Sequence, residues 1–352
     1  VLLALALGAC HPREGASPPR AATPPSPRRA EPPAPALFDL AANTEARLQR
    51  WIPAQRMLAP FFAAVDGSMA ALSPDGTLHW VASGDNGPSV REVRTPCRFD
   101  PSRHATTWTI APRIALDGQG HACCVHDGDD TSVQGAYCAD LRADPATWRR
   151  AHTHTPATGV GSGARAIAMF HHDLWCTTDG GAHETASFRG DESQVLSVAS
   201  CAPDGTAIAV VGTHSEGAQH EQTVRYAPAG GALTLLADAP RGEPIDARVL
   251  GDGSVAVLLT RSTGIALSTR GRDGVVRTIA LGTPPALALG VWGEHTVITR
   301  SGQMIQAVDT QTGASRMRII DPVGPALTVA ARVGTDLVGF GRDGAVGIVL
   351  RD

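Results

Sequence analysis

Met69–Ser83, "MAALSPDGTLHWVAS", decides how the rest of the chain reads. An apolar run from Met69 to Leu72 stops at Ser73-Pro74-Asp75-Gly76, and a second run rich in Leu, Trp and Val starts at Thr77. Two short β-prone runs around an Asp-Gly bend predict a hairpin. Gly reaches the positive φ that such a bend needs, and Asp accepts a hydrogen bond from the backbone two residues on. The pattern returns in "RIALDGQGHACCVHD" (113–127), "IAMFHHDLWCTTDGG" (167–181), "SVASCAPDGTAIAVVG" (197–212) and "ARVLGDGSVAVLLTR" (247–261), and again near Gly293 and Gly334.

With Asp75, Asp117, Asp173, Asp204, Asp252, Gly293 and Gly334 as landmarks, most spacings are about 40 to 50 residues, the period of a β-propeller. The expectation is an all-β chain of seven blades with about four strands each. Helical repeats share the period, but these runs are too short, too β-branched and too often cut by Gly. The last unit has room for only two or three strands before Asp352, so closing the ring needs a strand from the other end. "RMLAPFFAAVDG" (56–67), just ahead of the first hairpin, is placed to supply it.

Composition narrows the chemistry. The formal charge of -4 argues against a nucleic-acid partner. The chain has no Lys, all thirty basic residues being Arg, which excludes Schiff-base, Walker A and kinase mechanisms. Its Ala, Gly and Pro content fits a GC-rich bacterial genome. Six of the seven cysteines fall within the repeats: Cys97, Cys123, Cys124, Cys138, Cys176 and Cys201. An even set in a secreted chain predicts disulfides. The preferred pairs are Cys138 with Cys123 or Cys124, and Cys176 with Cys201. Cys123 and Cys124 point to opposite faces if they lie in a strand, so only one suits a given partner. No CxxC spacing supports a metal site, and nothing calls for a cofactor.

Ahead of the repeats, Val1–Ala9 span about 14 Å as a helix, half of a bilayer core. They suit the apolar core and small-residue end of a secretory signal whose basic start would precede this sequence. Leu7-Gly8-Ala9-Cys10 resembles the lipobox of bacterial lipoproteins. That resemblance implies that Cys10 is the first mature residue and carries the acyl chains that anchor the protein in a bilayer. His11, rather than Asp, implies the outer membrane of a bacterial cell envelope. Residues 10–36 are crowded with Pro, Ala and Ser and have no apolar face to bury. They predict a disordered tether able to reach roughly 80 Å, whose Arg13, Arg20, Arg28 and Arg29 are solvated or touch anionic lipid. Within residues 37–58, Asn43 or Thr44 as cap, Glu45 in the first turn and Leu48 with Trp51 on one side predict a short helix ending before Pro53. The propeller is expected over residues 59–352.

Two turns resemble the Asp-box of sialidase-type and sortilin-type propellers: "SGDNGPSV", with Ser83, Asp85, Gly87 and Ser89, and "TTDGGAHE", with Thr177, Asp179 and Gly181. Both lack the terminal aromatic, and the second also lacks the second Thr. In those families the box marks the fold and does not catalyse. The resemblance also implies what a sialidase-like enzyme would need: an arginine triad, a Tyr nucleophile and an acid/base Asp. "APRIAL" around Arg113 departs from the arginine motif by lacking its Pro, and Tyr137 and Tyr226 stand in no recognisable context. His152, His154, His171, His172 and His183 cluster, with Asp173 among them, but meet no zinc spacing. Asp127, Asp129 and Asp130 lack the sequel of an EF-hand. No catalytic residue is therefore nominated. The reading is a bilayer-anchored binding or scaffold module that offers a propeller face to a protein, peptide or glycan. The alternative is a propeller-fold glycoside hydrolase or lyase with a site scattered over several blades.

Overall fold

The structure is a computed structural model that describes residues 37–39, 48–53, 61–84, 87–99, 112–126, 134–151, 157–213, 222–236, 242–282, 290–301, 304–320, 327–334, 336–341 and 344–348. Two strands, β1 (Leu37–Asp39) and β2 (Leu48–Pro53), precede the repeats. The first sheet follows with β3 (Phe61–Val65), β4 (Ser68–Leu72), β5 (Thr77–Gly84) and β6 (Gly87–Arg94). The second holds β7 (Ile114–Leu116), β8 (His121–His126), β9 (Gly135–Asp140) and β10 (Arg149–Arg150). The third holds β11 (Gly159–Gly163), β12 (Ala166–Phe170), β13 (Leu174–Thr178) and β14 (His183–Phe188). The fourth is β15 (Gln194–Cys201), β16 (Ala207–Thr213), β17 (Gln222–Ala227) and β18 (Thr234–Leu235). The fifth is β19 (Glu243–Val249), β20 (Val255–Arg261), β21 (Gly264–Arg270) and β22 (Val276–Gly282). Then come β23 (Gly290–Trp292), β24 (Thr296–Ser301), β25 (Met304–Asp309) and β26 (Ser315–Ile320), and finally β27 (Leu327–Val333), β28 (Asp336–Gly341) and β29 (Gly344–Ile348).

This is an all-β propeller. Consecutive strands pair antiparallel within each sheet, and the first strand of one sheet lies beside the first strand of the next: β3 with β7, β7 with β11, β11 with β15, β15 with β19, β23 with β27 and β27 with β3. The fifth and sixth sheets meet through Leu258, Leu267, Val297 and Val308. Each interface is a thin layer of Ala, Val, Leu and Ile, so the core is a ring of wedges rather than one mass. Small residues let the wedges close up near the axis. A Cβ on Gly161 or Gly163 of β11 would run into the carbonyls of Ala199 and Cys201 of β15.

The expected Asp-Gly bends carry the hairpins. Asp75, Asp204, Asp252 and Asp273 each accept the N–H two residues on, at 2.9–3.0 Å. The glycines that follow, Gly76, Gly205, Gly253 and Gly274, take φ of 76–84°.

Three expectations need correction. The sheets are not seven alike four-stranded units: among the described residues six have four strands, while the sheet of β23–β26 has five. The fifth is β1, which adds in parallel to β26. Second, Leu48–Pro53 is a strand, not the end of a helix, and no α-helix occurs among the described residues. Third, the strand that completes β27–β29 is β2, paired antiparallel with β29. The segment 56–67 instead contributes β3, the inner strand of the first sheet. An exposed β29 edge with unpaired N–H and C=O groups is the common cause of the last two results, because it recruits a strand whatever the local helix propensity. The propeller thus begins before residue 59, and among the described residues no helix is long and apolar enough to cross a membrane.

Candidate functional site

Antiparallel pairing sends the turns between first and second strands, and between third and fourth, to one face of the ring, here the turn face. Links between second and third strands, and between sheets, fall on the other, the crossover face. The inner strands surround the axis.

An ion pair is buried among the inner strands. On β19, Asp246 and Arg248 are two residues apart, hence on one side of the strand. Arg248 Nη2 lies 3.2 Å from Asp246 Oδ2, with side-chain exposures of 9 % and 6 %. Arg248 Nη1 also donates to the Ser162 carbonyl at 3.2 Å. Ser162 belongs to β11, two sheets away, so the guanidinium ties the fifth sheet to the third. Asp246 Oδ1 accepts the Ala247 N–H at 2.8 Å.

Around this pair, serines link the inner strands. Leu116 N–H donates to Ser162 Oγ (2.9 Å), Ser200 Oγ donates to the Ser162 carbonyl (2.8 Å), and Val249 N–H donates to Ser200 Oγ (3.0 Å). Each bond contributes about 1 kcal/mol and leaves its buried partner satisfied. Otherwise the described inner strands are mostly Ala, Val, Gly and Ser, and their carboxylates are Asp246 and the exposed Glu243. Such a channel can hold sheets together. Its buried carboxylate, Asp246, is engaged by Arg248 and by the Ala247 N–H.

Tyr137 and Tyr226 stand on β9 and β17, the third strands of their sheets, away from the inner strands. The Tyr226 ring lies under Arg270, 5.4 Å from its guanidinium carbon. Arg113 is buried immediately before β7. No Tyr–carboxylate arrangement of the sialidase type is assembled among the described residues.

The histidine cluster is divided between the two faces. His171, His172 and Asp173 form the β12–β13 turn on the crossover face. There the rings of His171 and His172 are 3.9 Å apart, His171 Nδ1 meets Thr158 Oγ1 at 3.2 Å, and His172 Nδ1 meets the Gln194 carbonyl at 2.8 Å. Burial, and then the neighbouring His172, hold His171 below the ordinary imidazole value of 6.5. His183 lies on the turn face, its Nδ1 2.9 Å from Asp179 Oδ2. Among the described residues no three His, Cys, Asp or Glu side chains are grouped to hold a metal ion.

Of the Asp-box-like turns, "SGDNGPSV" forms the β5–β6 hairpin, with Gly84 opposite Gly87 and Ser83 and Ser89 on its strands. Thr177 lies on β13, where its Oγ1 donates to the Ile167 carbonyl at 3.1 Å, and Asp179–Gly181 form a 3-10 turn. Cys10, the leader 1–9, the tether 10–36, Asn43, Thr44, Glu45, Asp85, Asp127, Asp129, Asp130, His152 and His154 lie outside the described residues.

The disulfides are Cys123–Cys138, Cys176–Cys201 and Cys97–Cys124. The first ties neighbouring strands β8 and β9, where the two residues face each other. The second joins the third sheet to the fourth, and the third joins the exit of the first sheet to β8. Adjacent cysteines on opposite faces of β8 thus serve two different partners.

Sequence reading missed Asp246, Arg248, Ser162, Ser200 and the pair Asp117–His121. A signal existed in "IDAR" (245–248), since a charge pair at i, i+2 in an inner strand must share a face; the Ser162 carbonyl, 86 residues earlier, left none.

No protein-family model and no curated protein matches the chain. Solved structures do resemble it. The fold is that of known β-propellers. A structure of virginiamycin B lyase from Staphylococcus aureus has a TM-score of 0.57 at 11% identity, covering 87% of this chain and 100% of that one. YCF48 bound to a D1 peptide gives 0.52 at 12%, covering 91% and 98%. The WD40 propeller domain of Doa1 gives 0.55 at 12%, covering 88% and 98%. At such identities the likeness is one of fold alone.

Proposed function

We propose that this chain is a lipoprotein of the bacterial cell envelope, anchored through acylated Cys10, whose propeller is a docking platform for a protein or peptide partner. The observation that carries the platform reading is the buried Asp246–Arg248 pair among the inner strands. Of the charged residues on the described inner strands, Asp246 and Arg248 are engaged with each other and with backbone, Arg332 donates to the Gly334 carbonyl, and Glu243 is exposed at the start of β19; neither Tyr stands on an inner strand. A propeller enzyme of the hydrolase type would hold catalytic groups open to substrate there. One similar fold is a propeller bound to a peptide, YCF48 with the D1 peptide, which supports a peptide or protein as partner. Three disulfides fit a chain exported to an oxidising compartment.

The anchor and the platform are tested separately. Expressed with its own leader in a bacterial host, the protein should carry the acyl mass, and Cys10→Ala should lose it and leave the membrane fraction; an unchanged mass defeats the anchor. For the platform, in-cell crosslinking from exposed positions on each face should give discrete adducts from one face. Equal, diffuse adducts from both faces would count against a dedicated partner.

A further inference from the structure

On the turn face, the second and third sheets leave an open groove of about 560 Å³ between Arg149, Thr147 and His121 on one side and Asp179–Ala182 on the other. We propose that this groove binds an acidic side chain of an extended peptide, with Arg149 taking the carboxylate and His121 accepting a peptide N–H. The inference rests on the platform reading and assigns it a place and a ligand chemistry.

His121 is set for such a role by the residue behind it. Its Nδ1 lies 2.7 Å from Asp117 Oδ2, and Asp117 is itself only 2% exposed. The other oxygen of Asp117 accepts the N–H groups of Gln119 (2.7 Å) and His121 (3.1 Å), which fixes the carboxylate. In the tautomer that turns an Nδ1 proton toward Asp117, Nε2 is the acceptor. Aligned in this way, the ring lines the groove and is 14% exposed at its side chain.

The opposite wall is equally fixed. Asp179, Gly180 and Gly181 take φ of 51°, 60° and 81°, and a left-handed Asp is uncommon outside tight turns. A Cβ on Gly180 would sit 3.2 Å from His121 Cδ2, and one on Gly181 3.0 Å from Cys138 Sγ. The turn therefore rests on the histidine and on the Cys123–Cys138 bridge.

Charge selects the ligand. The carboxylates that could compete for Arg149 are already engaged. Asp140 takes Arg142 Nε at 2.8 Å and Nη2 at 2.9 Å, and Asp179 takes His183. Arg150 donates to the Gln134 carbonyl at 2.6 Å. Arg149 is exposed, and among the described residues no hydrogen bond or ion pair holds its guanidinium. A free guanidinium beside an oriented acceptor is matched by a carboxylate carried near a backbone N–H.

The full chain carrying Cys10→Ala is titrated with acetyl-Ala-Glu-Ala-amide and with its Gln counterpart, following the His121 ring signals by NMR. The Glu peptide should shift them saturably. The Gln peptide, and the Glu peptide on Arg149→Gln, should bind about tenfold more weakly, as expected when a charge-assisted pair is lost. Arg272→Gln, on the fifth sheet, should bind as the parent does. Absence of a saturable shift at His121, or equal binding of the two peptides, overturns the proposal. So does unchanged affinity of Arg149→Gln. If Arg149→Gln keeps the crosslinked partner in cells, the groove is wrong and the platform reading stands; if the parent shows no discrete adduct, the platform reading itself fails.

Discussion

Arg248 and Asp246 illustrate how a buried pair binds its own partners in place. Both are buried, and each is stabilised by the other and by backbone groups. Removing one should therefore cost more than removing both. Arg248→Met is expected to destabilise by about 3–5 kcal/mol, and Asp246→Leu/Arg248→Met to recover most of that loss. Urea denaturation of the three proteins decides, and a single variant within about 1 kcal/mol of the parent would show that the pair is wet. His171 gives a second test at this scale. Its pKa is held low first by burial, then by His172. A lowered folded value means that stability is fully present above the unfolded pKa and falls as pH drops through the folded one. His172→Gln removes the like charge, so the His171 pKa, followed by NMR, should rise toward 6.5; a value that falls or stays put would assign the whole shift to burial.

At the scale of elements, the ring is closed by a strand from the opposite end of the chain. β2 covers β29, which otherwise presents an open edge beside the first sheet. Deleting residues 1–36 should leave the melting transition within a few degrees of the parent, whereas deleting 1–53 should broaden it and promote association through β29. Thermal melts with light scattering separate the two outcomes; identical melts would mean that β2 adds nothing. This element also marks the limit of what the sequence disclosed. The Asp-Gly bends were legible because each is settled within five residues, as at Ser73–Thr77. Leu48 and Trp51 read equally well as one face of a helix, and what makes them a strand is β29, some 300 residues away. The candidate groove was hidden for the same reason. Asp117 and His121 are neighbours in sequence, but the wall opposite them comes from Asp179–Gly181 of the next sheet, and no spacing rule joins the two.

Across the whole molecule, the cross-links are unevenly placed. All three disulfides lie within the first four sheets, between Cys97 and Cys201, while among the described residues the sheets from β19 to β29 carry no covalent tie and are held by packing, hydrogen bonds and the β2 closure. A ring built of thin Ala and Val layers gains little from any one interface, so covalent ties should decide which half opens first. Cys176–Cys201 closes a loop of 25 residues, and such a loop adds roughly 3 kcal/mol by restricting the unfolded chain. In the oxidised protein, backbone amides of β20, β21, β24 and β25 should therefore exchange with deuterium sooner than those of β8, β12 and β16. Reduction acts on the other half, because it frees the unfolded chain of the first four sheets and leaves the packing of the rest unchanged. The exchange rates of the two halves should converge after reduction, and the double variant Cys176→Ala/Cys201→Ala should move β12 and β16 most of the way there. Equal exchange in both halves of the oxidised protein would mean instead that the ring opens as one unit, with its stability shared evenly around the axis through the serine links and the Arg248–Asp246 pair.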